Sequence, residues 1–162
     1  MSIYAALQSR YESRETALNT QVFLLTKATS KLAANFGGYL GLPEPRWKRA
    51  DNTSGDLYVR LGEGQGDRFE ERPWTQLSAI DGVVTFSIAL TMVSEDCQSR
   101  TTYVFPMSIE FSEFGYLVKL NNNEFVTLTP AEVEAGVFVE VYAKVVARLK
   151  TVLDPSKILI KK

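Results

Sequence analysis

The chain offers proton and nucleophile chemistry through nineteen Asp and Glu, seven Tyr and one Cys, with no His anywhere in its 162 residues. Without His there is no Ser–His–Asp or Cys–His catalysis, no imidazole-ligated zinc and no ordinary general base near neutral pH. A lone Cys97 excludes an internal disulfide, a thiolate zinc site and an iron–sulfur cluster. It lies in "SEDCQSR", between acids and without a base to take its proton, which are the wrong surroundings for a nucleophilic thiolate. Carboxylate chemistry remains, with Glu110 and Asp81 as candidates, but neither has a second carboxylate at a spacing that would pair with it. The residue types therefore favour binding over catalysis, and no cofactor is implied.

The stretch "GEGQG", Gly62–Gly66, follows the strand-like "LYVRL" as a phosphate-binding loop would. A P-loop, however, continues into Lys and Ser/Thr at the start of a helix. Here Asp67 and "RFEERPW" follow, whose acids repel an anion and whose Pro limits a helix, so a hairpin loop is expected. Glu63, Asp67, Glu70 and Glu71 could attract a hard cation, yet their spacing is not that of an EF-hand and Arg68 and Arg72 interleave with them. A salt-bridged loop without metal is the expectation. "RWKR", Arg46–Arg49, sets cations around an aromatic ring, as single-strand nucleic-acid sites do. Four residues beside an acidic sheet make poor support for that, and Trp47 pinning a loop over the core is the preferred reading.

Charge is segregated along the chain. Residues 1–50 carry seven Lys/Arg against three Asp/Glu, residues 51–140 five against fifteen, and residues 141–162 six against one. The opening apolar run "IYAAL" is too short for a signal peptide, and no stretch approaches the roughly 20 apolar residues of a membrane helix. With the lone Cys this points to a cytoplasmic protein away from membranes.

These residues must be positioned by elements legible in the pattern. Residues 3–36 read as helix from Tyr4, Leu7, Tyr11, Leu18, Val22, Leu25, Leu32 and Phe36, with Gly37–Gly38 as its stop. Such a helix is about 51 Å long, whereas a compact chain of this size is about 39 Å across. Either the helix breaks within Glu12–Thr20, or its apolar Ile3, Tyr4, Leu7 and Tyr11 dock on another subunit. From residue 57 to 128 the period is two. "VVTFSIALTMV" and "TYVFPMSIEF" are long strands, "LYVRL", "YLVKL" and "EFVTL" shorter ones, and Asp81–Gly82 and Asn121–Asn123 turns. A weaker strand is expected around Trp74–Ile80. Thr129-Pro-Ala-Glu132 is a capping box that opens a helix over 130–153, and "KILIKK" trails behind it. The expected fold is one α+β domain: a five- to six-stranded antiparallel meander, an N-terminal helical segment in one or two pieces, and a C-terminal helix on one face.

A bent antiparallel meander gripped by a C-terminal helix resembles the helix-grip ligand-binding folds, although their initial strand has no counterpart here. That resemblance implies an apolar small molecule held between sheet and helix. The residues themselves lead first to a protein-binding module, such as an inhibitor, immunity-type or accessory subunit. Phe86, Ile88, Leu90, Phe105, Ile109, Val141, Val145 and Leu149 should form its core. By alternation Tyr58, Arg60, Thr85, Ser87, Thr91, Thr102, Ser108, Glu110 and Lys119 face away from that core. With Glu63, Asp67, Glu70, Glu71, Glu95, Asp96 and Glu113 around its rim, this face would steer a basic protein partner.

Overall fold

The computed structural model describes residues 2–121 and 123–157. The tail 158–162 and the middle Asn of the expected Asn121–Asn123 turn lie outside the described residues. The first element is one unbroken helix, α1 (Ile3–Leu40), capped at its start by the Ser2 hydroxyl, which accepts from the amide of Ala5 at 3.1 Å. It does not break in its polar stretch. Nor does it stop at Gly37–Gly38: both glycines stay helical, and Gly41 (φ 75°) closes the helix in the left-handed conformation.

Two strands, β1 (Arg46–Lys48) and β2 (Ser54–Leu57), then form a separate hairpin in a stretch that reads from sequence as a Gly/Pro loop. The main sheet follows: β3 (Val59–Glu63), β4 (Glu70–Glu71), β5 (Ala79–Ile80), β6 (Val83–Val93), β7 (Arg100–Ser112), β8 (Gly115–Lys119) and β9 (Phe125–Leu128). Every pairing is antiparallel, in the order β4-β3-β6-β7-β8-β9, with β5 also on β6. The weak strand expected near Trp74–Ile80 amounts to a 3-10 turn, Trp74–Gln76, and the two-residue β5. Asp81 and Gly82 both take positive φ in the turn into β6, as a tight hairpin requires. Pro106 lies inside β7, opposite Ser87 on β6 and away from β8, whose pairing begins at Ser108. Its missing N–H therefore costs the β7–β8 ladder nothing.

The C-terminal helical segment is two helices, not one. The capping box Thr129–Glu132 opens α2 (Pro130–Ala135), Gly136 (φ 73°) ends it, and α3 (Val139–Val152) restarts after Phe138. The carbonyls exposed at this break are taken by α1. Lys31 donates to the carbonyl of Glu134 (2.9 Å) and Asn35 to that of Gly136 (3.1 Å).

The second half of α1 and both α2 and α3 pack on the same sheet face. Leu25, Leu32 and Phe36 from α1 and Phe138, Val141, Val145 and Leu149 from the C-terminal segment meet Phe86, Ile88, Leu90, Phe105 and Ile109 in one buried core. All eight core positions expected from alternation and helical spacing are buried. Among the described residues no long helix lies on the opposite sheet face, which antiparallel sheets tolerate when that face is polar.

Candidate functional site

Strand register decides which residues share the uncovered face. Val83 pairs with Glu110, Thr85 with Ser108, Thr91 with Thr102, and Ser108 with Lys119, so these side chains point away from the helices together. Arg60 joins them opposite Ala89. Thr85, Thr102 and Lys119 are exposed, and Ser108, Glu110 and Arg60 half-buried. Glu110 is paired with Lys119 at 3.3 Å.

Three expected members of the face do not present themselves to a partner. Ser87 is buried and donates to the carbonyl of Gly64 (2.6 Å), and Thr91 is buried against the hydroxyl of Thr102 (2.8 Å). Tyr58 sits at the bend between β2 and β3, where alternation lapses, and lines a cleft with Leu90 and Leu149 instead.

The "GEGQG" stretch forms the end of β3 and a folded loop lying across the open face. Ser87 holds Gly64, and the guanidinium of Arg60 stacks 5.4 Å from the ring centre of Phe69. The Nε of Arg60 is enclosed under this loop without a hydrogen-bond partner. Gly62 is obligatory because a Cβ there would run into the backbone of Glu70 and Glu71 across the β3–β4 ladder. Glu63 accepts from the amide of Ser78 (3.1 Å), and Glu70 pairs with Arg72.

The topology gathers these acids. The end of the sheet where β3 ends, β6 begins and β7 turns into β8 carries Glu63, Asp67, Glu70, Glu71, Asp81, Glu110 and Glu113, with Glu63 and Glu70 on the side of Leu61 rather than that of Arg60. Among the described residues, Glu63, Asp67, Glu71, Asp81 and Glu113 have no ion-pair partner. Glu95 and Asp96 do not belong to this group, because the β6–β7 turn that carries them is at the far end of β6. There the Asp96 carboxyl is held below the usual carboxylate range by hydrogen bonds from Ser94 and the amide of Gln98. Cys97 completes that turn with a positive φ of 62° and is half-buried.

Trp47 is buried rather than presented for stacking. Arg100 and Arg49 lie 4.6 Å and 5.5 Å from its ring, and the hairpin packs it onto Gly55. Between the sheet and α3 the space is filled by Phe138, Val141 and Val145. What remains is a side cleft of about 330 Å³ at the ends of α1 and α3, lined by Leu40, Leu42, Leu90, Met92, Leu149 and Leu153. Sequence reasoning missed this cleft because its walls come from four distant segments.

The exposed apolar side chains expected at the start of the chain are indeed outside the domain. Ile3 is 83 % exposed and Tyr4 73 %, and among the described residues none before Leu25 is buried. Among the described residues no cluster of three or more acids and Cys is close enough to hold a metal ion, and no helix is long and apolar enough to cross a membrane. No protein-family model, curated protein or solved structure matches the chain.

Proposed function

We propose that this chain is a protein-interaction module, of the inhibitor, immunity-type or accessory kind, which receives a basic partner at the acidic end of its open sheet face. The observation that carries this reading is the segregation of the two faces. Among the described residues the long helices pack on one side, while the other side is polar at its margins and the sheet end beside it carries seven acids on its strand ends, turns and loop. Five of those acids lack a cationic partner among the described residues, so a Lys- or Arg-bearing protein gains charge pairing there without first breaking an existing bridge. The 63–71 loop is tied down by Ser87 and Arg60, which lowers the entropy lost when a partner orders it.

The test is capture of the partner from the native host by the wild-type chain and by a D67K/E70K/E71K variant. Retention by the wild type that weakens with added salt, and loss of retention in the variant, supports the reading. Equal retention by both, insensitive to salt, overturns it.

A second reading rests on the side cleft, whose 330 Å³ and apolar walls lie at the small end of ligand sites. An apolar ligand there would raise the melting temperature of the wild type and not of a L90W variant that fills the cleft.

A further inference from the structure

The free half of α1 carries an apolar stripe collinear with the one that anchors its other half. At 100° per residue, Tyr4, Leu7, Tyr11 and Leu18 fall within about 50° of the direction shared by Leu25, Thr29, Leu32 and Phe36. The latter four are buried against the domain, whereas Tyr4, Leu7 and Tyr11 stand in solvent and Leu18 is half-buried. At about 57 Å for its 38 residues, α1 outreaches a compact domain of about 39 Å. A helical segment of this length without tertiary cover is marginal in water, so its stripe calls for an occupant.

We infer that the occupant is a second copy of this chain, and that the two free segments pair antiparallel, with Leu7 of each copy against Leu18 of the other. Three features select this arrangement over the alternatives.

Sterics come first. Because the stripe is continuous, a helix running parallel along it would be driven into the sheet that already covers Leu25 to Phe36. An antiparallel helix ends instead. Matching residue 3 of one copy to residue 22 of the other uses the whole free length and stops each tip where the partner's domain begins.

Self-complementarity follows from that register. Leu7 meets Leu18 in two symmetry-related layers, as a two-fold interface demands. Tyr11 meets Arg14, whose guanidinium would otherwise interrupt the stripe and here lies over a tyrosine ring.

Charge and area agree with it. The free segment carries Arg10 and Arg14 against Glu12 and Glu15, so two copies approach without net repulsion. The four tyrosines and four leucines of the pair bury about 1,000 Å², the lower bound of specific interfaces. The dimer therefore dissociates on dilution. This inference is independent of the acidic face, which stays open in the dimer.

The test combines light scattering with disulfide trapping in a C97S background. The wild type should show twice the mass of the L7E variant at high concentration and fall toward it on dilution. On mild oxidation, L7C mixed with L18C should give a cross-linked dimer, while L7C alone and L18C alone should not. Since none of these positions is buried, circular dichroism should show the domain intact in every variant. A monomeric wild type at all concentrations overturns the inference and leaves the acidic-face reading standing. Cross-linking of L7C to itself overturns the antiparallel register.

Discussion

The phenolic hydroxyl of Tyr142 on α3 donates to the backbone carbonyl of Leu32 on α1 at 2.7 Å, across 110 residues of sequence. Its ring stacks on Phe36 (5.0 Å between centres) and leans on Tyr39 (5.1 Å) and Phe138 (6.0 Å). One residue therefore locks the two helical layers together above the sheet. Burial pushes its pKa well above that of a free tyrosine.

Removing that hydroxyl should loosen the joint. Tyr142→Phe is expected to cost about 1 kcal/mol near neutral pH, a normal value for a buried hydrogen bond. The pH dependence has a definite sign. The unfolded chain ionises Tyr142 near pH 10 while the folded chain keeps it neutral, so this contribution is whole below pH 10 and is lost as pH rises further. Denaturant melts of both proteins should show the difference narrowing above pH 10. A constant difference through the alkaline range would rule this coupling out.

Phe86 and Phe105 point from the adjacent strands β6 and β7 into the same core, with Phe86 fully buried. Either residue changed to Ala should lose about 3–5 kcal/mol. Urea titration of each variant measures it, and losses below 1 kcal/mol at both sites would mean the core lies elsewhere.

Gly62 has backbone, not a flexible side chain, where its Cβ would be. Gly62→Ala should therefore separate β4 from β3 and free the acidic 63–71 loop while leaving β6–β9 paired. Hydrogen exchange should speed up at the amide of Arg72, which donates to Leu61 at 3.0 Å, and remain slow at the amides of β7. Uniform acceleration would mean that the loop is not a separate unit.

The first turns of α1 contribute nothing to the core. A chain beginning at Thr16 should melt within about 2 °C of the full chain, because surface changes away from packed groups shift stability little. Light scattering should find it smaller than the full chain by more than the deleted mass. Equal association states would place any self-contact elsewhere.

Some elements were legible because a single local signal is enough to specify them. In the long strands β6 and β7 the sequence alternates in residue type over Val84–Met92 and Tyr103–Phe111, and a period of two has no competing explanation at that length. The capping box at Thr129 is complete, with the Glu132 carboxylate returning to the Thr129 amide at 3.1 Å. The candidate site was legible only in part. Thr85, Ser108 and Glu110 were placed on one face by counting, but Ser87 and Thr91 were lost to it because a loop and a facing Thr cover them. Nothing local reports that cover.

By itself the sequence determined the α+β class, the identity of the core residues, the hairpin at Asp81–Gly82 and the absence of imidazole chemistry. These follow from periodicity, turn chemistry and residue type, all read within one segment. Only the tertiary structure decided where the helices end and what the sheet leaves open. Gly37 and Gly38 stay helical while Gly136 breaks its helix, although glycine favours stopping in all three places. The difference is that Lys31 and Asn35 of α1 reach across to satisfy the carbonyls freed at Gly136. In the same way, seven acids scattered between residues 63 and 113 come to one end of the sheet because antiparallel pairing brings three strand ends together. Convergence of this kind is set by long-range register, which no short stretch of chain encodes.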